Sequence, residues 1–344
     1  MRVAVLTGGG DCPGLNAAIR AVARSCFALD WTVLGVKNGW AGLLGEGQIE
    51  ELNRKSVSGI LHLGGTILGT SRTNPMKREE DMAQVQDNLK RYEIDALVAI
   101  GGDDTLSVAK RLHELGVKVV GVPKTMDNDL SETDYCIGFD SAVQVVMEAL
   151  DRLHTTASAH HRVLVVEVMG RDAGWVAVEG GLAGGADLIL IPEVPTDIDR
   201  VCRHLERRRA AGKDFSIIVV AEGVQMPDLL VRETVPSEVD AFGHVRLDKR
   251  GVGETLAKQI EKKTGFETRV TVLGHLQRGG SPSVTDRVNG TRFGVAAVQL
   301  IREGKFGYMP ALKGNKVVPV KLADAVARTK TVDVEYYKLA ELFY

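Results

Sequence analysis

Two short stretches carry polar side chains that packing does not explain. Pro123-Lys124-Thr125-Met126-Asp127-Asn128-Asp129 sets a lysine, a hydroxyl and two carboxylates within seven residues, with no apolar periodicity. That is the inventory of phosphoryl transfer: a base for a hydroxyl proton, a cation for the phosphate, and donors to orient both. Upstream, Gly101-Gly102-Asp103-Asp104-Thr105 gives two glycines that let a ligand approach the backbone, then two carboxylates where a helix begins. A helix start attracts anions through its free N–H groups, so carboxylates there make sense when Mg²⁺ bridges them to phosphate. Taken singly, each turn also has a plainer reading, as a helix cap for Asp103 or Asp104 and as a solvated turn for the second.

The elements needed to position these turns are legible. Ala96 to Ile100 and Val117 to Val122 are apolar runs of buried-strand type. Ligands bind beyond the carboxyl ends of such strands in open α/β sheets, so four aspartates converge on one sheet edge. A third strand, Val3 to Leu6, leads into Thr7-Gly8-Gly9-Gly10-Asp11-Cys12-Pro13-Gly14 and a helix whose Leu15, Ala18, Ile19, Val22 and Cys26 share a face. This is a phosphate-cradling arrangement. It is not the dinucleotide fingerprint, because the third glycine counted from Gly8 falls on Pro13, and the chain has no P-loop.

Further along, Leu63 to Arg72 is a second glycine-rich loop ending in an arginine. Ser141 to Leu153 reads as a helix beyond a hinge near Gly138. The strand Val163 to Val168 lies between Arg162 and Met169-Gly170-Arg171, Leu188 to Glu193 reads as another strand, and Phe215 to Val220 ends in Ala221-Glu222-Gly223. A last strand carries Arg269 at one end and His275 and Arg278 at the other. Val201 to Arg209 reads as a solvated basic helix face, and Met226 to Gly251 is a polar break in the rhythm.

With 344 residues, 44% hydrophobic and 26% charged, the chain can bury two cores rather than one. A net charge of −2 leaves no electrostatic footprint for nucleic acid or an anionic membrane, and no apolar run approaches a membrane span. Four cysteines without a C-x-x-C pair predict reduced thiols, and the expected location is cytoplasmic.

The paired turns, Gly9-Gly10-Asp11-Cys12-Pro13-Gly14-Leu15-Asn16-Ala17-Ala18-Ile19-Arg20, the loop ending at Arg72, Glu167-Val168-Met169-Gly170-Arg171 and Thr268 to Pro282 together resemble the phosphofructokinase family, in the family's order and over most of the chain. The resemblance implies two doubly wound α/β domains with an interdomain active-site cleft. The larger domain, 1–138 plus about 277–327, would bind the phosphoryl donor and Mg²⁺; the smaller, 139–276 plus about 328–344, would bind the sugar phosphate. By the same resemblance Asp127 is the general base toward the C1 hydroxyl of fructose 6-phosphate. Thr125 holds the transferred group, Asp129 supports the base, Arg171 neutralises developing charge, and Asp103 holds Mg²⁺. Gly10, Arg72, Gly102, Asp104 and Lys124 face the donor. Arg162, Met169, Gly170, Glu222, Arg269, His275 and Arg278 face the sugar phosphate. Arg162 and Arg269 reach a neighbouring subunit in the family, which implies a homodimer or homotetramer.

Two positions depart from the ATP-dependent bacterial pattern. Asp104 stands where those members carry Gly and Lys124 where most of them do, and both resemble the pyrophosphate-dependent branch, although Lys at 124 also occurs in some ATP-using relatives. A carboxylate facing an α-phosphate adds bulk and like charge, whereas a lysine serves a compact donor without adenosine. His154, Asp187 and the Lys213-Asp214 pair depart from the basic effector pocket of regulated members. The expected activity is pyrophosphate–fructose 6-phosphate phosphotransfer; the alternatives are the ATP-dependent kinase and a catalytically silent sugar-phosphate sensor.

Overall fold

The computed structural model describes residues 1–226, 242–243 and 251–344. The chain forms two units. The first combines Met1–Ser141 with Arg278–Thr329; the second takes the described residues from Ala142 to Gln277, other than Phe242 and Gly243, with Lys330–Tyr344. Most of the polar break at 226–251 lies outside the described residues.

The first unit is built on β1 (Arg2–Thr7), β2 (Thr32–Val36), β3 (Ile49–Leu52), β4 (Ala96–Gly101) and β5 (Val119–Pro123). The late strands β10 (Tyr308–Lys313) and β11 (Lys316–Lys321) complete a seven-stranded sheet in the order β11-β10-β5-β4-β1-β2-β3. The five central strands are parallel, while β3 and β11 close the edges antiparallel. Strands β4 and β5 are buried along their whole length, which is why they read as continuous apolar runs: helices cover both faces of a parallel sheet. One face packs Leu15, Ile19 and Val22 of α1 (Leu15–Phe27) with Phe293 and Ala297. The other packs Met82, Val85 and Leu89 of α2 (Glu79–Arg91) with Leu106, Ala109 and Leu112 of α3 (Asp103–Glu114). The strand expected over Val117 to Val122 is shifted to Val119–Pro123, because Leu112 to Val117 closes α3 through backbone bonds.

In the second unit β6 (Val163–Val168), β7 (Leu188–Leu190), β8 (Ser216–Ala221) and β9 (Thr268–Val272) form an all-parallel sheet in the order β7-β8-β6-β9. The apolar run from Leu188 yields only three strand residues, since Val194 N bonds back to Ile191 O and turns the chain. Helix α4 (Phe139–His160) leads into β6, and α5 (Trp175–Ala183), α6 (Ile198–Ala210) and α7 (Val252–Thr264) connect successive strands. Helix α8 (Val284–Arg302) and the short α9 (Leu322–Ala325) belong to the first unit, and α10 (Val334–Glu341) ends the chain in the second. Among the described residues, no helix is long and apolar enough to cross a membrane.

Candidate active site

Strand order dictates where the first unit can bind a ligand. From β1 the chain winds one way to β2, and from β4 it winds the other way to β5, so the crevice opens between β1 and β4. The loops leaving those strands are Gly8–Gly14 and Gly101–Asp104. The second glycine loop is laced onto the first: Thr70 donates its hydroxyl to Gly9 O at 2.6 Å, and Gly9 N donates to Ser71 O at 3.1 Å. Buried Asn16 fixes the loop's far side, donating to Leu63 O and Gly64 O (3.1 Å each) and accepting from Ile67 N (2.9 Å).

Lys124 lies beneath the first loop. It is only 3% exposed, and its ammonium donates to Gly8 O at 2.9 Å and to Gly10 O at 2.5 Å. Burial pushes its pKa below the ordinary lysine value. Two of its three N–H donors are committed, which leaves one for a ligand. Arg278 closes the same floor: Nη1 donates to Asp11 O at 3.1 Å, and a Cβ at position 10 would stand 2.5 Å from that nitrogen, so a larger residue there would displace the guanidinium group. The structure thus gathers Gly10, Lys124 and Arg278, placing Arg278 in the first unit while His275 belongs to the second. Arg72 is exposed at the end of the second loop.

The turn after β5 is set by Asn128, which sits in the left-handed region at φ 53. Asparagine tolerates that conformation better than most residues, and such strain clusters at functional sites. Asn128 is held there by donating to Asp134 O (3.1 Å) and accepting from Cys136 N (3.0 Å). On either side of it Asp127 and Asp129 are half-buried. Thr125 Oγ1 donates to Asp129 Oδ1 at 2.9 Å and accepts from Asp127 N at 3.2 Å. A Cβ on Gly102 would stand 3.4 Å from Lys124 O and 3.7 Å from Thr125 Cβ, so the two acidic turns are neighbours.

Helix α3 takes Gly102 as its N-cap, without a side-chain cap bond, and Asp103 and Asp104 form its first turn. Neither aspartate is therefore the N-cap residue. No group of three or more His, Cys, Asp or Glu able to hold a metal occurs among the described residues. Exposed Asp103 instead suits Mg²⁺, which keeps its waters and binds through one or two carboxylates plus substrate phosphates.

In the second unit, the loops after β6, β8 and β9 carry the expected sugar-phosphate residues. Met169 N donates to Gln277 Oε1 at 3.3 Å, Glu222 N to Val168 O at 2.9 Å and Gly223 N to Gly170 O at 3.0 Å, so the Met169–Arg171 loop is tied to β8 and to Gln277. Arg171 pairs with Asp172 at 3.0 Å. At the opposite ends of β6 and β9, Arg162 and Arg269 share Glu267, at 2.8 Å and 2.5 Å. His275 is exposed.

Three residues that shape these loops escape a reading by chemical type. Asn16 and Asn128 act through the backbone, and only their place beside glycine and aspartate signals it. Asp286, at the start of α8, accepts from Gly138 N (2.8 Å), Ser141 N (2.9 Å) and the Ser141 hydroxyl. Burial pushes its pKa up to about 6 even though those three donors pull the other way.

Residues 2–301 match the family described as phosphofructokinase. A pyrophosphate--fructose 6-phosphate 1-phosphotransferase of Dictyoglomus thermophilum is 51% identical over 344 residues, covering 100% of this chain and 99% of that protein. One from Amycolatopsis mediterranei is 55% identical with both covered in full. An ATP-dependent 6-phosphofructokinase of Corynebacterium efficiens is 47% identical, covering 100% of this chain and 99% of that protein. The structure of Pichia pastoris phosphofructokinase in the T-state superposes with a TM-score of 0.83 at 31% identity; it covers 99% of this chain, which spans 36% of that longer one. A pyrophosphate-dependent phosphofructokinase of Marinobacter aquaeolei, TM-score 0.82 at 23% identity over 98% of this chain and 86% of its own, shares the fold.

Proposed function

The chain belongs to the phosphofructokinase family, and from that premise we propose that it transfers a phosphoryl group reversibly from pyrophosphate to the C1 hydroxyl of fructose 6-phosphate. The observation that carries the choice of donor is Lys124, a buried cation fixed under the first glycine loop with one N–H unspent, beside a helix start that bears Asp104. A short, highly charged donor suits that floor. A nucleotide would bring its α-phosphate toward the Asp104 carboxylate.

In this reading Gly10, Gly102, Lys124 and Arg72 receive the pyrophosphate. Asp103 would hold Mg²⁺ beside the phosphates, where the ion would neutralise charge on the transferring group. Asp127 accepts the C1 hydroxyl proton as the oxygen attacks phosphorus. Thr125, whose hydroxyl is oriented by Asp129, holds the moving phosphoryl group, and Arg171 meets the charge that develops on its oxygens. Arg162, Met169, Gly170, Glu222, Arg269, His275 and Arg278 bind the sugar phosphate, arginine being suited to phosphate by its planar bidentate donors. The donor residues fall in the first unit. Those for the sugar phosphate fall mainly in the second. Arg162 and Arg269 acting on a neighbouring subunit make the working form a homodimer or homotetramer. Four buried free thiols suit a reducing cytoplasm.

The ATP-dependent kinase is the second reading, favoured by relatives at 47% identity that bear that name. A coupled assay with fructose 6-phosphate and Mg²⁺ separates the possibilities: turnover with pyrophosphate supports the proposal, turnover with ATP alone replaces it, and turnover with neither leaves a binding protein.

A further inference from the structure

The loop that carries Arg171 leaves β6 and ends at Gly174, where α5 begins. Its near end is pinned by Gly223 N, which donates to Gly170 O at 3.0 Å. Arg171 pairs with Asp172, but at 32% and 55% side-chain exposure such a pair fixes a side chain weakly. The backbone on either side of Arg171 is held more firmly.

The local sequence leaves the far end of this loop without a cap. Gly174 is the N-cap residue of α5 and has no side chain to offer, and no acidic residue stands in the first turn, Trp175-Val176-Ala177. In a capping box, a glutamate at the third helical position reaches back to the N-cap N–H; Ala177 cannot do so. Glu193, just beyond β7, takes that place from another element: Gly174 N donates to its two carboxylate oxygens at 3.0 and 3.1 Å. Its negative charge also faces the positive end of the helix dipole. Two residues before it, Ile191 packs so closely under Gly174 that a Cβ there would clash with the isoleucine side chain.

Glu193 is itself held by the C-terminal segment. Val332 N donates to its Oε1 at 2.8 Å, and Trp175 Nε1 donates to Lys330 O at 2.9 Å, so that segment grips both the carboxylate and the first residue of α5. Two tyrosines of the same segment clasp β7: Tyr337 donates to Ile189 O at 2.8 Å, and Ile189 N donates to the Tyr344 hydroxyl at 3.0 Å. The carboxylate of Glu193 thus accepts from backbone N–H groups, the pattern of a group that orients main chain. We infer that Glu193 is a positioning residue for phosphoryl transfer: it fixes the end of the loop that sets Arg171, and the C-terminal segment completes its hold through Val332. The consequence for turnover rests on the function proposed above; the hold on the loop does not.

Amide hydrogen exchange and steady-state kinetics on the intact protein test both parts. Glu193→Ala should speed exchange across residues 170–175 about tenfold and leave β4 and β5 of the first unit unchanged. It should lower kcat with pyrophosphate by about 10- to 100-fold, the effect of a reacting group displaced from a distance, and change the KM for fructose 6-phosphate by less than about threefold. Glu193→Gln keeps one acceptor oxygen, so its kcat should fall only about two- to fivefold; it carries the test if the alanine variant does not fold. Arg171→Ala separates positioning from general damage. If Glu193 acts through Arg171, adding either Glu193 substitution to Arg171→Ala should lower kcat by less than about twofold further. The same fractional loss in both backgrounds, or unaltered exchange at 170–175, overturns the positioning role. A wild-type protein that turns over neither pyrophosphate nor ATP overturns the proposed function instead, and the exchange result then decides alone whether Glu193 fixes the loop.

Discussion

The proposed donor floor of the first unit and the proposed sugar-phosphate arginines of the second hold their charges by opposite means. In the first, charge is buried and fixed: Lys124 is 3% exposed and bonded to two carbonyls. In the second, Arg162, Arg171 and Arg269 stand at 28%, 32% and 53% side-chain exposure, each resting on an acidic neighbour. A buried cation without a carboxylate is costly, and it persists where a ligand later supplies the missing charge. Exposed pairs cost little and exchange readily. If the proposed roles hold, the donor side is pre-organised for one compact anion, whereas the sugar side has exchangeable partners.

The sharpest test removes chemistry and leaves both surfaces intact. Asp127→Ser should lower turnover by ~10²–10⁴ with little change in fructose 6-phosphate binding, because a general base acts only as the proton moves. Turnover within tenfold of wild type would mean another group takes the proton.

The next tests address the fixed cation. Lys124→Met keeps the volume and removes the charge, so stability should hold or rise while kcat/KM for pyrophosphate falls about ten- to hundredfold, the worth of a charged hydrogen bond. A variant that keeps its pyrophosphate kinetics would reduce Lys124 to a structural strut. Asp104→Gly should admit ATP as a measurable donor, and Asp104→Asn, which keeps the bulk, separates repulsion from crowding. No gain in ATP use from either would leave Asp104 as first-turn helix charge alone.

What the sequence made legible follows the same contrast. The β4 and β5 runs, the glycine loops and the acidic turns are strongly marked because burial on both sheet faces and close backbone approach restrict residue type. Helix α8 is legible from Asp286 on through apolar Ala296, Val298 and Ile301, but its first half is weakly marked because its buried face includes Gly290 and Gly294, set against α1 where a Cβ would meet Gly14 O or Ala18 O at 3.0 and 2.7 Å. Asn16 and Asn128 were invisible for another reason. Each holds backbone groups, and an asparagine that does so looks like any loop asparagine. The basic face of α6 read as solvated because the wall that makes it one side of a cavity comes from β7 and from α10, far along the chain.

Asp286 carries the burial rule from catalysis to stability. Its folded pKa of about 6 lies above the usual 3.8, so its protonated form is favoured on folding; that contribution is complete below about pH 4 and is lost as pH rises through 6. In Asp286→Asn this dependence should vanish. The difference in denaturation midpoint between wild type and variant should therefore drift against wild type from pH 4 to 6.5, by at most about 3 kcal/mol in stability. Parallel curves over that range would place the titration elsewhere.

The smallest effect is expected where the charges are exposed. Glu267 holds both Arg162 and Arg269, and their guanidinium groups keep its carboxyl below the usual range, so it stays ionised and competes with an incoming sugar phosphate. Glu267→Gln removes the competitor without changing the side chain's shape. If the two arginines are exchangeable phosphate ligands, the variant should keep its melting temperature and lower the KM for fructose 6-phosphate by a factor of about five at most, since an exposed pair is worth no more. The gain should shrink as salt rises, because screening already weakens the wild-type pair. Arg162→Ala should instead raise KM, and by more in the Glu267→Gln background, where the competing carboxylate no longer occupies the arginine. A Glu267→Gln variant that raises KM would mean the carboxylate positions the guanidinium groups, and the second unit would then be as pre-organised as the first.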